Sequence, residues 1–166
     1  LMYSNQIRLL TLTTHIPIQK VSRELKKVDF ESLFQAIRNS GLFRNPKIGF
    51  CGLNPHAGEN GKIGKEEIEF LQPLIQKYKK KNWDIEGPLS ADSVFIKEKL
   101  AKYDIIFSCY HDQGLIPFKS IAGKSGINLT LGLPLIRVSP DHGTAFDIAG
   151  KNLADPESLI QCFEIL

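Results

Sequence analysis

Apolar positions along this chain fall into short compact runs separated by polar, glycine-containing stretches. The segments "IRLLTLTT" (7–14), "KIGFCGL" (47–53) and "YDIIFSCYH" (103–111) are apolar and β-branched runs of strand length, the last being the clearest buried strand. "NWDIEGP" predicts another strand ending at Gly87-Pro88. "INLTLGLPLIRVS" (127–139) reads as one bent strand or two short ones, because Gly132 and Pro134 interrupt it. Between these runs the period lengthens. Residues 19–39 predict two helical pieces split near "KKVDFES", with Asp29 as cap of the second and Ser40-Gly41 as its stop. Residues 65–80 place Ile68, Leu71, Leu74, Ile75 and Tyr78 at helical spacing, with Pro73 a local conflict that implies a kink or early break. Asp92 stands as N-cap of a short helix in "ADSVFIKEKLAK", and "QGLIPFKSIA" is a short helix or irregular segment containing Pro117. An Asp-Pro-initiated helix over 155–166 puts Leu159, Ile160 and Phe163 on one face.

Strands alternating with helices predict an α/β unit with a largely parallel sheet flanked by helices. At 166 residues the chain suits one such unit with a core of its own. In sheets of this kind ligands bind beyond the carboxyl ends of the strands, so the loops there are where chemistry is sought.

Composition narrows the partners. The net charge of +3 is mild, and the densest basic run, "KYKKKNW" at 77–83, falls where a helix ends, so it complements the helix dipole. With only Tyr78 and Trp83 interleaved, that run does not point to nucleic acid. No stretch approaches the roughly 18 apolar residues of a membrane-spanning helix. Cys51, Cys109 and Cys162 are odd in number, far apart and set in apolar surroundings. They read as reduced core residues of a cytoplasmic protein, not as disulfides or a zinc cluster. The start at Leu1, without methionine, reads as that of a fragment.

The four histidines change the picture most. His15 ends "IRLLTLTTH", His56 follows "KIGFCGL" by three residues, His111 ends "YDIIFSCYH", and His142 follows "LPLIRVS". Each sits past the end of a predicted strand, and a parallel sheet would bring all four to one edge. Neutral imidazoles suit divalent transition ions, although any one of these residues could equally brace a loop. Lys119, Asn128 and Arg137 follow on the same face and could hold a phosphate and a carboxylate; taken singly, each is also a solvated charge or a loop-bracing amide. Asp92 is a cap or a catalytic or metal-facing carboxylate, and Asp112 and Gln113 could orient imidazoles.

The strings "TTHIP", "GLNPHAGENGKIGKEE", "GPLSAD", "YDIIFSCYHDQGLIPFK" and "INLTLGLPLIRVSPDHGTAFDIAG" together resemble the 4-hydroxythreonine-4-phosphate dehydrogenase family of pyridoxal phosphate biosynthesis, in order along the whole chain. The tail "DHGTAFDIAGKNLADPESLI" is similar to the nucleotide-binding loop of the isocitrate and isopropylmalate dehydrogenases. The resemblance implies an isocitrate/isopropylmalate-dehydrogenase-like fold and NAD- or NADP-dependent oxidation and decarboxylation of 4-phosphooxy-L-threonine. It also implies one divalent metal ion (zinc, magnesium or cobalt) and a cytoplasmic homodimer with its active site at the subunit interface. It places the metal ligands at His15, His56 and His111, the substrate contacts at Lys119, Asn128 and Arg137, and the adenosine contacts at His142, Gly143, Thr144 and Asp147. Deprotonation of the substrate hydroxyl needs a base, for which Asp92 and Lys119 are the candidates. Family members are about twice as long, so residues 1–166 correspond to the C-terminal half, and the absent N-terminal half supplies a further substrate-binding histidine and threonine. Asn60, where glycine is usual, and Pro140 before "DHGTA" leave the motifs intact. Two other readings stand beside this one: a sister dehydrogenase of a threonate or erythronate phosphate, and a non-catalytic metal- or phosphate-binding module.

Overall fold

The computed structural model describes residues 1–165; Leu166, the end of the predicted last helix, lies outside them. In chain order the elements are β1 (Met2–Tyr3), β2 (Arg8–Thr11), α1 (Val21–Leu25), α2 (Phe30–Asn39), β3 (Ile48–Cys51), α3 (Gln72–Lys79) and β4 (Ile85–Leu89). There follow α4 (Ala91–Val94), α5 (Lys97–Leu100), β5 (Ile105–Ser108), α6 (His111–Ala122), β6 (Ile127–Thr130), β7 (Arg137–Pro140) and α7 (Glu157–Glu164). The strands form one sheet in the order β4-β3-β5-β2-β1-β6-β7. β4, β3, β5 and β2 pair in parallel, and β1 is antiparallel to both β2 and β6. Strands β2 to β6 therefore share one direction, and β1 and β7 run the other way.

Helices cover both faces of the parallel half, which is why β3 and β5 are buried along their whole length. Successive side chains alternate between two cores. Ile105 and Phe107 face a cluster with Phe34 and Ile37 of α2, Ile75 and Tyr78 of α3, and Phe50. Ile106 faces Leu9, Val94, Leu100, Leu115 and Phe118 on the other side. Phe34 joins several aromatic contacts in the first core, stacking on Tyr78 with ring centroids 3.9 Å apart.

Several local expectations are confirmed or sharpened. Asp29 caps α2 by accepting from the Ser32 amide (3.1 Å). The proline conflict at 73 is absorbed by a π-helical turn over Glu67–Leu71, in which the Gln72 amide reaches back to the Glu67 carbonyl. Leu71 at its end and Ile75 and Tyr78 beyond it turn inward, whereas Ile68 faces solvent. Residues 127–139 resolve into two strands, β6 and β7, paired antiparallel.

Other expectations are corrected. His111 does not end a strand: β5 stops at Ser108, and His111 opens the twelve-residue α6, which accommodates Pro117. Asp92 is not a cap; it lies in the first turn of α4, where the Ser90 hydroxyl donates to its carboxylate. The predicted apolar face of α7 is turned outward, with Phe163 70% exposed, while Ser158 and Cys162 pack inward. His142 does not join the other histidines, because β7 runs antiparallel and ends beside Ile127, at the start of β6.

Candidate active site

His15, His56 and His111 lie beyond the carboxyl ends of β2, β3 and β5, three parallel strands. The strand ends are tied together: the Thr13 hydroxyl donates to the Cys109 carbonyl (2.7 Å). Gln113 accepts from the Cys109 amide and donates to the Gly52 carbonyl, both at 2.7 Å. Gln113 thus links β5 to β3 and does not touch an imidazole.

His15 and His111 are neighbours, with ring centroids 5.5 Å apart. The His111 Nδ1 lies 2.7 Å from the Asp112 carboxylate, and the His56 Nδ1 lies 2.8 Å from that of Glu59. In both, a carboxylate lies within hydrogen-bond distance of Nδ1; in the tautomer whose Nδ1–H donates to it, Nε2 carries the lone pair, which is the form in which histidine binds a metal. The His56 Nε2 points toward Asp92, 4.0 Å away. The Glu59 hydrogen bond, then its charge and that of Asp92, raises the His56 pKa above its ordinary value. The Ser90 hydroxyl, helped by His56, keeps Asp92 below the usual carboxylate range.

These groups line two adjoining cavities walled by Tyr110. One of about 280 Å³ contains Thr13, His15, His111 and Asp112, and the other of about 260 Å³ contains Asn54, His56, Asp92 and Gln113. Among the described residues no three His, Cys, Asp or Glu side chains converge closely enough to hold a metal ion. His15 and His111 line the first cavity and His56 the second.

The loop presenting His56 is unusual. His56, Ala57, Gly58, Glu59, Asn60 and Gly61 all have positive φ, from 42° to 87°. Left-handed backbone costs each non-glycine residue roughly 1–2 kcal/mol, so the turn must be held from outside.

The remaining candidates are spread further. Arg137 lies opposite Thr130 at the histidine edge and donates to its hydroxyl (2.9 Å), but β1 and β6 separate it from β2. Asn128 is exposed within β6, between Met2 and Ser139. Lys119 lies two turns into α6, and its Nζ is 3.3 Å from Asp141, which follows β7. His142 and Gly143 line a separate cavity of about 310 Å³ with Lys124, Gly126, Asp155 and Ser158. Thr144 and Asp147 are exposed nearby in sequence. Nothing in the sequence alone singles out Glu59 or Thr13. Glu59 stands three residues after His56, but only the left-handed turn makes that spacing a contact.

The whole chain, residues 1–166, matches the family described as "Pyridoxal phosphate biosynthetic protein PdxA". The chain belongs to this family. It is 45% identical over 157 residues to a protein of Paracoccus denitrificans named 4-hydroxythreonine-4-phosphate dehydrogenase, covering 92% of this chain and 49% of that protein. It is 44% identical over 163 residues to an Oceanobacillus iheyensis protein named as a proposed D-threonate 4-phosphate dehydrogenase, covering 95% of this chain and 49% of the relative. A crystal structure of 4-hydroxythreonine-4-phosphate dehydrogenase from Klebsiella pneumoniae superposes with a TM-score of 0.80 at 36% identity, covering 99% of this chain and 51% of that one. The chain thus spans about half the length of the PdxA-family relatives it matches.

Proposed function

We propose that this chain is the C-terminal half of an NAD(P)-dependent 4-hydroxythreonine-4-phosphate dehydrogenase. The complete protein would oxidise 4-phosphooxy-L-threonine at C3 and release CO2, yielding 3-amino-2-oxopropyl phosphate. The observation that carries this reading is the paired engagement of His56 and His111 Nδ1 by Glu59 and Asp112, with His15 beside His111. Those imidazoles fit a divalent ion, and as nitrogen donors they suit zinc or cobalt better than magnesium. A cation held there supplies Lewis acidity at the reacting oxygen, and a bound nicotinamide supplies the hydride acceptor.

The chain's own residues would do the rest. Asp92, beside His56 and held ionised, takes the proton of the substrate hydroxyl, with Lys119 the alternative base. Arg137, Asn128 and Lys119 anchor the phosphate and carboxylate and so orient C3. His142, Gly143, Thr144 and Asp147 meet the adenosine portion of the cofactor; the cavity beside His142 supports this. The separation of the His15–His111 pair from His56 supports a centre completed across a homodimer. The three buried free thiols support a reducing, cytoplasmic setting.

The test is NADH formation by the complete protein. His56→Ala is expected to abolish metal-dependent turnover and to lower metal content while leaving the fold intact, since His56 is exposed. Normal turnover with unchanged metal would overturn the assignment. The Oceanobacillus iheyensis relative favours a second reading, oxidation of D-threonate 4-phosphate. A panel of both phosphorylated substrates separates the two.

A further inference from the structure

The left-handed turn that presents His56 is built around a carboxylate to which the proposed chemistry gives no part. Glu67 is 1% exposed, the one buried charged residue among the described residues. Its Oε1 accepts from the Asn54 backbone amide (2.7 Å), and its Oε2 accepts from the Asn54 side-chain amide (2.9 Å). The same side-chain amide also donates to Glu66 (2.9 Å). Asn54 is the last residue before the turn. Inside the turn, Gly58 has φ 78°, and a Cβ there would lie 2.6 Å from the Glu67 Oε2. Beyond the turn, a Cβ on Gly64 would lie 2.2 Å from the Asn54 side-chain nitrogen. Entry, middle and exit of the turn therefore close on one buried group.

The imidazole has little else to fix it. His56 is 60% exposed, and its hydrogen-bond partner, Glu59, belongs to the same turn. Its place relative to the sheet is inherited from the backbone. At its margins the turn is closed by backbone bonds from Ala57 to Asn54 (3.1 Å), Lys62 to Glu59 (3.3 Å) and Ile63 to Gly58 (3.2 Å), none of which ties it to the sheet.

We infer that Glu67 is the positioning residue for His56: its buried carboxylate clamps Asn54 and the turn, and so sets where the Nε2 is presented. This rests on the reading of His56 as a metal ligand. Without the clamp the turn relaxes toward right-handed backbone, and only a fraction of molecules present the imidazole correctly. Apparent affinity falls by that fraction.

The test is Co(II) titration of the complete protein, followed by visible absorption, with thermal melting of the metal-free protein as the folding control. Glu67→Gln keeps the volume but can set an amide donor against the Asn54 amide donor. It is expected to weaken Co(II) binding about 10- to 100-fold and to change the absorption band, while the metal-free melt stays cooperative. Asn54→Ala removes the other half of the clamp and is expected to act likewise; it decides the matter if Glu67→Gln does not fold. Unchanged affinity and band in the folded variants, whatever the shift in melting temperature, would overturn the positioning role alone. A parent protein that binds no Co(II) would overturn the metal reading, and this inference with it.

Discussion

The parallel half of the sheet and the flank that follows β6 are built from similarly apolar sequence, yet they bury it very differently. Strands β3 and β5 lie between two layers of helices, and Ile48, Ile105 and Phe107 have no exposed surface. From 131 onward, Cys162 is the one hydrophobic residue in the buried core of the described residues. Leu133, Leu135, Ile136, Phe146, Leu153, Leu159, Ile160 and Phe163 are all exposed there, more than half of such residues described in the chain. The parallel half thus makes its own core and fixes the ends of its strands. The flank is held by the β6–β7 pairing and by polar anchors such as the Ser158 hydroxyl, which donates to the Gly126 carbonyl (2.6 Å). A histidine placed on the first region inherits a rigid base; a residue on the second does not.

The contrast can be broken most directly in the core. Phe107→Ala empties a site at the meeting point of Phe34 and Phe50 and is expected to cost about 3–5 kcal/mol in urea unfolding. A smaller loss would show that the two helical layers collapse readily onto the gap.

Alkaline pH probes the same region through its buried thiols. Burial pushes the Cys51 thiol from 9.0 up to about 12 and the Cys109 thiol well above its ordinary value. The folded state therefore holds these protons more tightly than the unfolded chain does. The resulting stability is fully present below about pH 9 and is lost as pH rises toward 12. Unfolding measured across that window should show the fall, and Cys51→Ala should flatten it.

A finer probe lies at the histidine edge. Glu59→Gln is expected to lower the His56 pKa, because the Glu59 hydrogen bond is the main reason that it is raised. An NMR titration of the imidazole that does not move would remove Glu59 from the site. The smallest effect belongs to the flank: Phe163→Ser is expected to change the stability of this chain by no more than about 0.5 kcal/mol. A loss as large as that of Phe107→Ala would erase the contrast.

Much of the parallel half was legible because its signals are local. The run "YDIIFSC" is too apolar for an exposed strand, and Asp29 before Phe30 is a cap by its own chemistry. The placing of His15, His56 and His111 followed from strand ends alone. His142 failed the same rule, since nothing local announces that β7 reverses direction. The outward face of α7 failed too: apolar spacing shows which residues share a face, and tertiary packing decides whether that face is covered.

The His56 loop divides the two kinds of information most sharply. Residue order alone established a glycine-containing turn after a buried strand, a histidine within it, and two glutamates at the start of the following helix. The spacing of Glu66 and Glu67 reads as an ordinary solvated first turn. Only the tertiary structure made the turn left-handed and drew Glu67 inside, because its hydrogen-bond partner, Asn54, is thirteen residues away and is brought within reach by the packing of β3 against the π-helical turn. Local propensity cannot encode a contact whose energy depends on burial, and burial is a property of the assembled sheet.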